Sequence, residues 1–145
     1  MIFLPISRFT HFAITQMCKA ALEAGIQPCD IGIISPFRAQ VREIAQQLSK
    51  IARGGEIEAL TVDKYQGKEK EMILISLTRS NEKGLVGELI EDWRRLNVAF
   101  TRAKTKLTVI GSKSTCSNNS FLQQFLRIIP PNHIIDASQI INNIK

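Results

Sequence analysis

Apolar positions along this chain follow two rhythms that alternate. Over residues 10–24, Phe12, Met17, Ala20, Ala21 and Ala24 recur near helical spacing and Gly25 follows as a stop, which predicts a helix. DIGIIS at 30–35 is a short β-branched run that predicts a strand. Ser35 and Pro36 then predict an N-cap and a first helical position. Phe37, Val41, Ile44, Leu48 and Ile51 carry that helix to Gly54 and Gly55. EIEALTV at 56–62 and MILISL at 72–77 predict two more strands, the second apolar enough for burial on both faces. Past two polar stretches, a helix from Asp92 feeds a strand from Lys106, and a helix over 121–129 stops at Pro130 and Pro131. Ile134 and Ile135 suggest a short strand before a terminal helix, and the opening MIFLPISRF reads as a strand or a ragged end.

Strands and helices in alternation predict an α/β fold: a mostly parallel sheet with helices on both faces. In such sheets ligands gather beyond the carboxyl ends of the strands. That rule selects residues 35–40, 61–70, 79–87 and 111 onward.

At 145 residues the chain suits one domain with its own core, and 44% hydrophobic with 22% charged residues is a globular composition. The absence of a run of about 18 apolar residues predicts a soluble domain without a membrane partner. No basic segment precedes the apolar start and no small-residue cleavage site follows it, so a secretory signal is not expected. Cys18, Cys29 and Cys116 are odd in number and lack a C-x-x-C spacing, which argues against a disulfide framework and a zinc site and fits a reducing compartment. His11 and His133 stand alone. A net charge of +6 fits a polyanion such as nucleic acid.

DWRRLNVAFTRAKTKLTVIGS at 92–112 concentrates that charge. Extended as a helix, it puts Trp93, Leu96, Phe100 and Ala103 on a core-facing side. Arg95 and Arg102 then align opposite, flanked by the small Val98 and Ala99. A solvated basic face is the ordinary explanation for such a pair, but no Asp or Glu occurs from Trp93 to the end of the following strand. A phosphate is the economical counter-ion for planar, permanently charged guanidiniums.

RRLNVAFTRAK resembles motif VI of superfamily 1 helicases of the 5′ to 3′ branch. TVDKYQGKEKEMILIS resembles their motif V, and IGIISPFRAQ the strand, turn and helix that precede it. The run from Val62 to Lys104 is similar to eukaryotic replication helicase-nucleases. RNA helicases of the same branch have related motifs. The resemblance implies the second, C-terminal RecA-like domain of such an enzyme, a three-layer P-loop-NTPase-type fold over 30–145, with 1–29 a loosely matching N-terminal helix region. It implies ATP with Mg2+ in a cleft shared with an N-terminal RecA-like domain, in cis or in trans, single-stranded DNA (or RNA) as partner, and the nucleus as compartment.

Carried over to these positions, Arg102 matches the arginine finger that approaches the γ-phosphate. Gln66, Gly67 and Glu69 match the nucleotide edge of motif V, where glycine permits close approach and the carboxylate accepts from a ribose hydroxyl. Thr61 matches the nucleic-acid contact of motif V, with Lys64 and Lys68 adding charge nearby for the same strand. Pro36, Arg38 and Gln40 lie where the same strand could pass, and Arg95 either braces the finger or meets phosphate. No G-x-x-x-x-G-K-[ST] and no Walker-B-type acidic cluster occur, so the domain lacks its own P-loop and is expected to be inactive alone. The cysteines match no iron–sulfur spacing. The other reading is a non-catalytic nucleic-acid-binding or helicase-docking module that keeps the fold.

Overall fold

The computed structural model describes residues 2–3, 8–77, 92–112 and 119–136. Six parallel strands form one sheet: β1 (Ile2–Phe3), β2 (Ile31–Ser35), β3 (Glu58–Thr61), β4 (Lys70–Ser76), β5 (Ala103–Gly111) and β6 (Ile135–Asp136), in the order β3-β2-β4-β5-β1-β6. Among the described residues four α-helices cover it, α1 (Arg8–Glu23), α2 (Arg38–Leu48), α3 (Trp93–Phe100) and α4 (Ser120–Ile128). The α/β architecture expected from the alternation is therefore present. The opening residues are not ragged: Ile2 pairs with Ile110 on one side and Ile135 on the other.

Strand alternation splits the core in two. Ile31 and Ile33 of β2, Met72 and Leu74 of β4 and Ile110 of β5 meet Ile14 and Cys18 of α1 and Ile44 and Leu48 of α2. On the opposite face Ile34, Ile73, Ile75 and Val109 meet Leu96 and Ala99 of α3 and Leu122 of α4. Three layers result.

Three boundaries depart from the periodicity. The helix expected from Ser35 begins only at Arg38, with Phe37 as N-cap in an extended conformation. The Ser35 hydroxyl instead accepts from the Phe37 amide at 3.2 Å, a side-chain turn that competes with helix initiation. The arginine helix ends at Phe100, and Ala103 already belongs to β5, so Arg95 and Arg102 do not share a helix face. Trp93 lies 56% exposed whereas Ala99 is buried, because the helix turns Leu96 and Ala99 into the core. The expected terminal helix and the loop at 79–87 lie outside the described residues.

From β3 the chain crosses over β2 to reach β4 within residues 62–69, on the α3 side, using one 3-10 turn (Asp63–Tyr65). This is shorter than the roughly dozen residues that parallel connections ordinarily take. The economy depends on Gly32. A Cβ there would lie 1.8 Å from the Tyr65 hydroxyl and 2.9 Å from Ile73 Cδ1, so the Tyr65 ring occupies the space that a side chain on β2 would fill. Tyr65 is fully buried, and its hydroxyl has no hydrogen-bond partner among the described residues.

Gly32→Ala is expected to lower the unfolding free energy by about 1–3 kcal/mol, as overpacking does. Tyr65→Phe, which removes an unsatisfied buried hydroxyl, should leave stability unchanged or raise it by about 1 kcal/mol. Urea titration of both variants checks the pair. Burial also pushes the Cys18 thiol up from 9.0 to about 12, so the folded state holds that proton where the unfolded chain has released it. Its stabilising effect is complete below pH 9 and is lost as pH rises toward 12, at no more than about 1.4 kcal/mol per pH unit. Cys18→Ala should flatten that alkaline decline, read from Tm against pH.

Candidate ATP and nucleic-acid edges

The crossover at 62–69 carries the motif V residues from one edge of the sheet to the other. Thr61 ends β3 level with Ser35, at the carboxyl edge, whereas Lys70 starts β4 at the amino edge. Six residues of strand separate Lys70 from Ser76, a height of about 20 Å at ~3.3 Å per residue. The expectation that all of residues 61–70 sit at carboxyl ends is thus corrected: only the start of the segment does.

At the carboxyl edge, Arg38, Val41, Arg42, Leu60, Thr61 and Lys64 line an open groove of about 520 Å³. Three of the predicted nucleic-acid residues, Arg38, Thr61 and Lys64, converge there. Arg42 joins them one helical turn beyond Arg38, a neighbour that i,i+4 spacing on α2 could have revealed. Pro36 and Gln40 do not present themselves to this groove. Both are buried, Gln40 at 1% exposure, and the Gln40 amide oxygen accepts from the Ser35 hydroxyl at 2.6 Å. Gln40 therefore holds the turn from β2 into α2 and offers no surface to a ligand.

At the amino edge the predicted nucleotide residues meet the predicted finger. The Lys70 amide donates to the Arg102 carbonyl at 3.1 Å, and Lys70 pairs with Ala103, so Glu69 and Arg102 are neighbours across the β4–β5 pair. Gln66, Gly67 and Glu69 are all exposed. Gly67 has φ +79°, a left-handed conformation that side chains resist, and no atom lies within 4 Å of the place where its Cβ would be. Lys68 pairs with Glu58, and Lys70 Nζ donates to the Cys29 carbonyl at 2.7 Å, fixing the loop on both sides.

Arg102 sits in the turn between α3 and β5. Its Nε donates to the Val98 carbonyl at 3.0 Å and its Nη2 to Thr101 Oγ1 at 3.2 Å. The guanidinium thus caps the helix C-terminus, where the dipole is negative. These bonds use two of its five N–H groups. No carboxylate of the described residues lies within ion-pair distance of it.

Arg95 differs, and the expectation that it lacks an acidic partner fails. Its Nε lies 3.5 Å from Asp63 Oδ1 and 3.9 Å from Asp92 Oδ2. Asp63 is brought by the crossover, a contact invisible in local spacing. The pair ties α3 to the crossover. Half-exposed pairs contribute under about 1 kcal/mol. Burying a ring the size of Tyr65 contributes roughly 2–3 kcal/mol, so packing holds the crossover and the ion pair orients it.

Residues 10–114 match the family model described as AAA domain. The chain belongs to this AAA domain family. It is 46% identical over 121 residues to the DNA replication ATP-dependent helicase/nuclease dna2 of Schizosaccharomyces pombe, covering 83% of this chain and 8% of that protein. To the mouse protein of the same description it is 54% identical over 102 residues, covering 70% of this chain and 10% of the relative. The mouse DNA-binding protein SMUBP-2 is 44% identical over 110 residues, covering 76% of this chain and 11% of that protein. The chain thus spans about a tenth of the length of the curated relatives it matches. Among solved structures, the C-terminal domain of a possible DNA helicase from Lactobacillus plantarum WCFS1 aligns with TM-score 0.62 at 11% identity, covering 93% of this chain and 82% of that one. That likeness establishes the fold alone.

Gln40→Ala is expected to cost about 1–3 kcal/mol in urea unfolding, because it strands the buried Ser35 hydroxyl. A purely ligand-facing Gln40 would leave stability unmoved.

Proposed function

We propose that this chain is the second RecA-like domain of an ATP-dependent 5′ to 3′ DNA helicase of the replication and repair type, acting in the nucleus. Its amino edge forms one wall of an ATP cleft, and its carboxyl edge carries part of a single-strand track. The observation that carries the reading is the strand pairing of Lys70 with Ala103, which sets Glu69 beside Arg102.

In this reading Arg102 leaves or shares its helix cap to meet the γ-phosphate, where it stabilises the charge that spreads over the transferred phosphoryl group. Such fingers accelerate comparable reactions by roughly 10³- to 10⁵-fold. Glu69 accepts from a ribose hydroxyl, and Gly67 lets the backbone come close. ATP and its Mg2+ are held chiefly by a partner N-terminal RecA-like domain, because no P-loop sequence occurs in this chain. Arg38, Arg42 and Lys64 neutralise phosphates of the strand, with Thr61 donating from its hydroxyl. Phosphate contacts of this kind serve DNA and RNA alike; the similarity to DNA replication helicase/nucleases favours DNA.

In the enzyme that joins this domain to its ATP-binding half, Arg102→Ala should lower ATP turnover by about 10³-fold or more while leaving single-strand affinity within about twofold. Turnover within tenfold of the unsubstituted enzyme would remove Arg102 from the finger role. Lys64→Ala should weaken single-strand binding and shift the slope of log affinity against log salt by about 0.7 toward zero, as loss of one phosphate contact does. An unchanged slope would remove the groove from the track.

A further inference from the structure

We infer that Trp93 is a base-stacking platform for the single strand, an inference that rests on the reading of the carboxyl edge as its track. Trp93 is the first residue of α3, and helical side chains lean toward the N-terminus. α3 leads into the amino end of β5, and its eight residues rise about 12 Å of the roughly 20 Å of sheet, with the first turn directed toward the carboxyl edge; there Arg95 ties it to Asp63, the residue before Lys64 of the groove.

The apolar repeat Trp93, Leu96, Phe100 would bury all three, yet Trp93 remains 56% exposed while Leu96 is 1% exposed. It is one of four large hydrophobic side chains exposed among the described residues. Its setting selects a partner. The Arg94 guanidinium lies 5.8 Å from the centre of the indole ring, and no carboxylate of the described residues forms an ion pair with it. The acids near it among the described residues are engaged: Asp92 caps the helix by accepting from the Arg94 amide at 3.0 Å and approaches Arg95, and Asp63 also pairs with Arg95. A half-exposed indole with an unpaired guanidinium over one face suits a ligand that alternates π-faces with anionic charge. A nucleotide strand does so at every unit. A purely apolar protein surface would leave Arg94 desolvated and unpaired.

Trp93 is the only tryptophan of the 145 residues, so the fluorescence of the whole chain reports on this ring alone. Titration with oligothymidine at low salt should quench it, and an abasic oligomer of the same length should not. With binding followed separately by anisotropy of a labelled oligothymidine, Trp93→Ala should weaken affinity about tenfold and Trp93→Phe should restore it to within about threefold. The ring is largely exposed, so far-UV circular dichroism should be the same for both variants. Binding that proceeds without quenching, and with equal affinity for Trp93→Ala, overturns the platform and leaves the track reading standing. No binding by any form of the chain, at low salt and high concentration, overturns the track reading and the platform with it. Quenching by the abasic oligomer to the same extent assigns the signal to phosphate at Arg94 and also overturns stacking.

Discussion

The fit of Tyr65 onto Gly32 is the contact on which the arrangement of both edges depends. Two parallel strands flanking a third must be joined over its face, and here the link has no room for a helix. It lies flat on β2, which is possible only where β2 lacks a side chain. Once that ring is seated, Thr61 and Lys64 are left at the carboxyl edge while Gln66, Gly67 and Glu69 are delivered to the amino edge. Any link between parallel strands runs from the carboxyl edge to the amino edge; a longer one would not have to lie on β2 to do so.

This geometry gives a physical meaning to a motif that reads along the sequence as one charged turn. Its residues stand at two edges separated by about 20 Å of sheet. The ring in the middle is dry and packed, while both ends are polar and open. The Arg95 to Asp63 pair adds an attachment from α3, so the helix that leads into Arg102 and the crossover that ends at Glu69 are held at a second point besides the backbone bond between Lys70 and Arg102. Arg102 is meanwhile occupied with the Val98 carbonyl and the Thr101 hydroxyl, which orient its fork without neutralising it.

Much of the fold was legible from periodicity. The runs at 31–35 and 72–77 are nearly continuously apolar because both faces are covered, and the alternation with helices leaves few arrangements other than a parallel sheet. The candidate residues of both edges were legible as motif matches, and Arg38, Thr61 and Lys64 do share a groove. Legibility failed where a side chain's partner is distant in sequence. Gln40 reads as a surface polar residue because nothing local shows that Ser35 will turn back to it. Arg95 reads as unpaired because Asp63 lies on another element. Trp93 reads as core because its spacing from Leu96 and Phe100 is helical, and spacing cannot say how wide a covered stripe will be.

The sequence by itself determined the element order, the layered α/β class, the absence of a P-loop motif and the identity of the charged residues, since all of these follow from local pattern and composition. Only the tertiary structure decided which residues share an edge, which arginine has a carboxylate, and that a glycine on β2 exists for a tyrosine on another segment. The division has one physical reason. Periodicity records whether a position meets the core, while the identity of what it meets depends on how strands distant in sequence are ordered side by side.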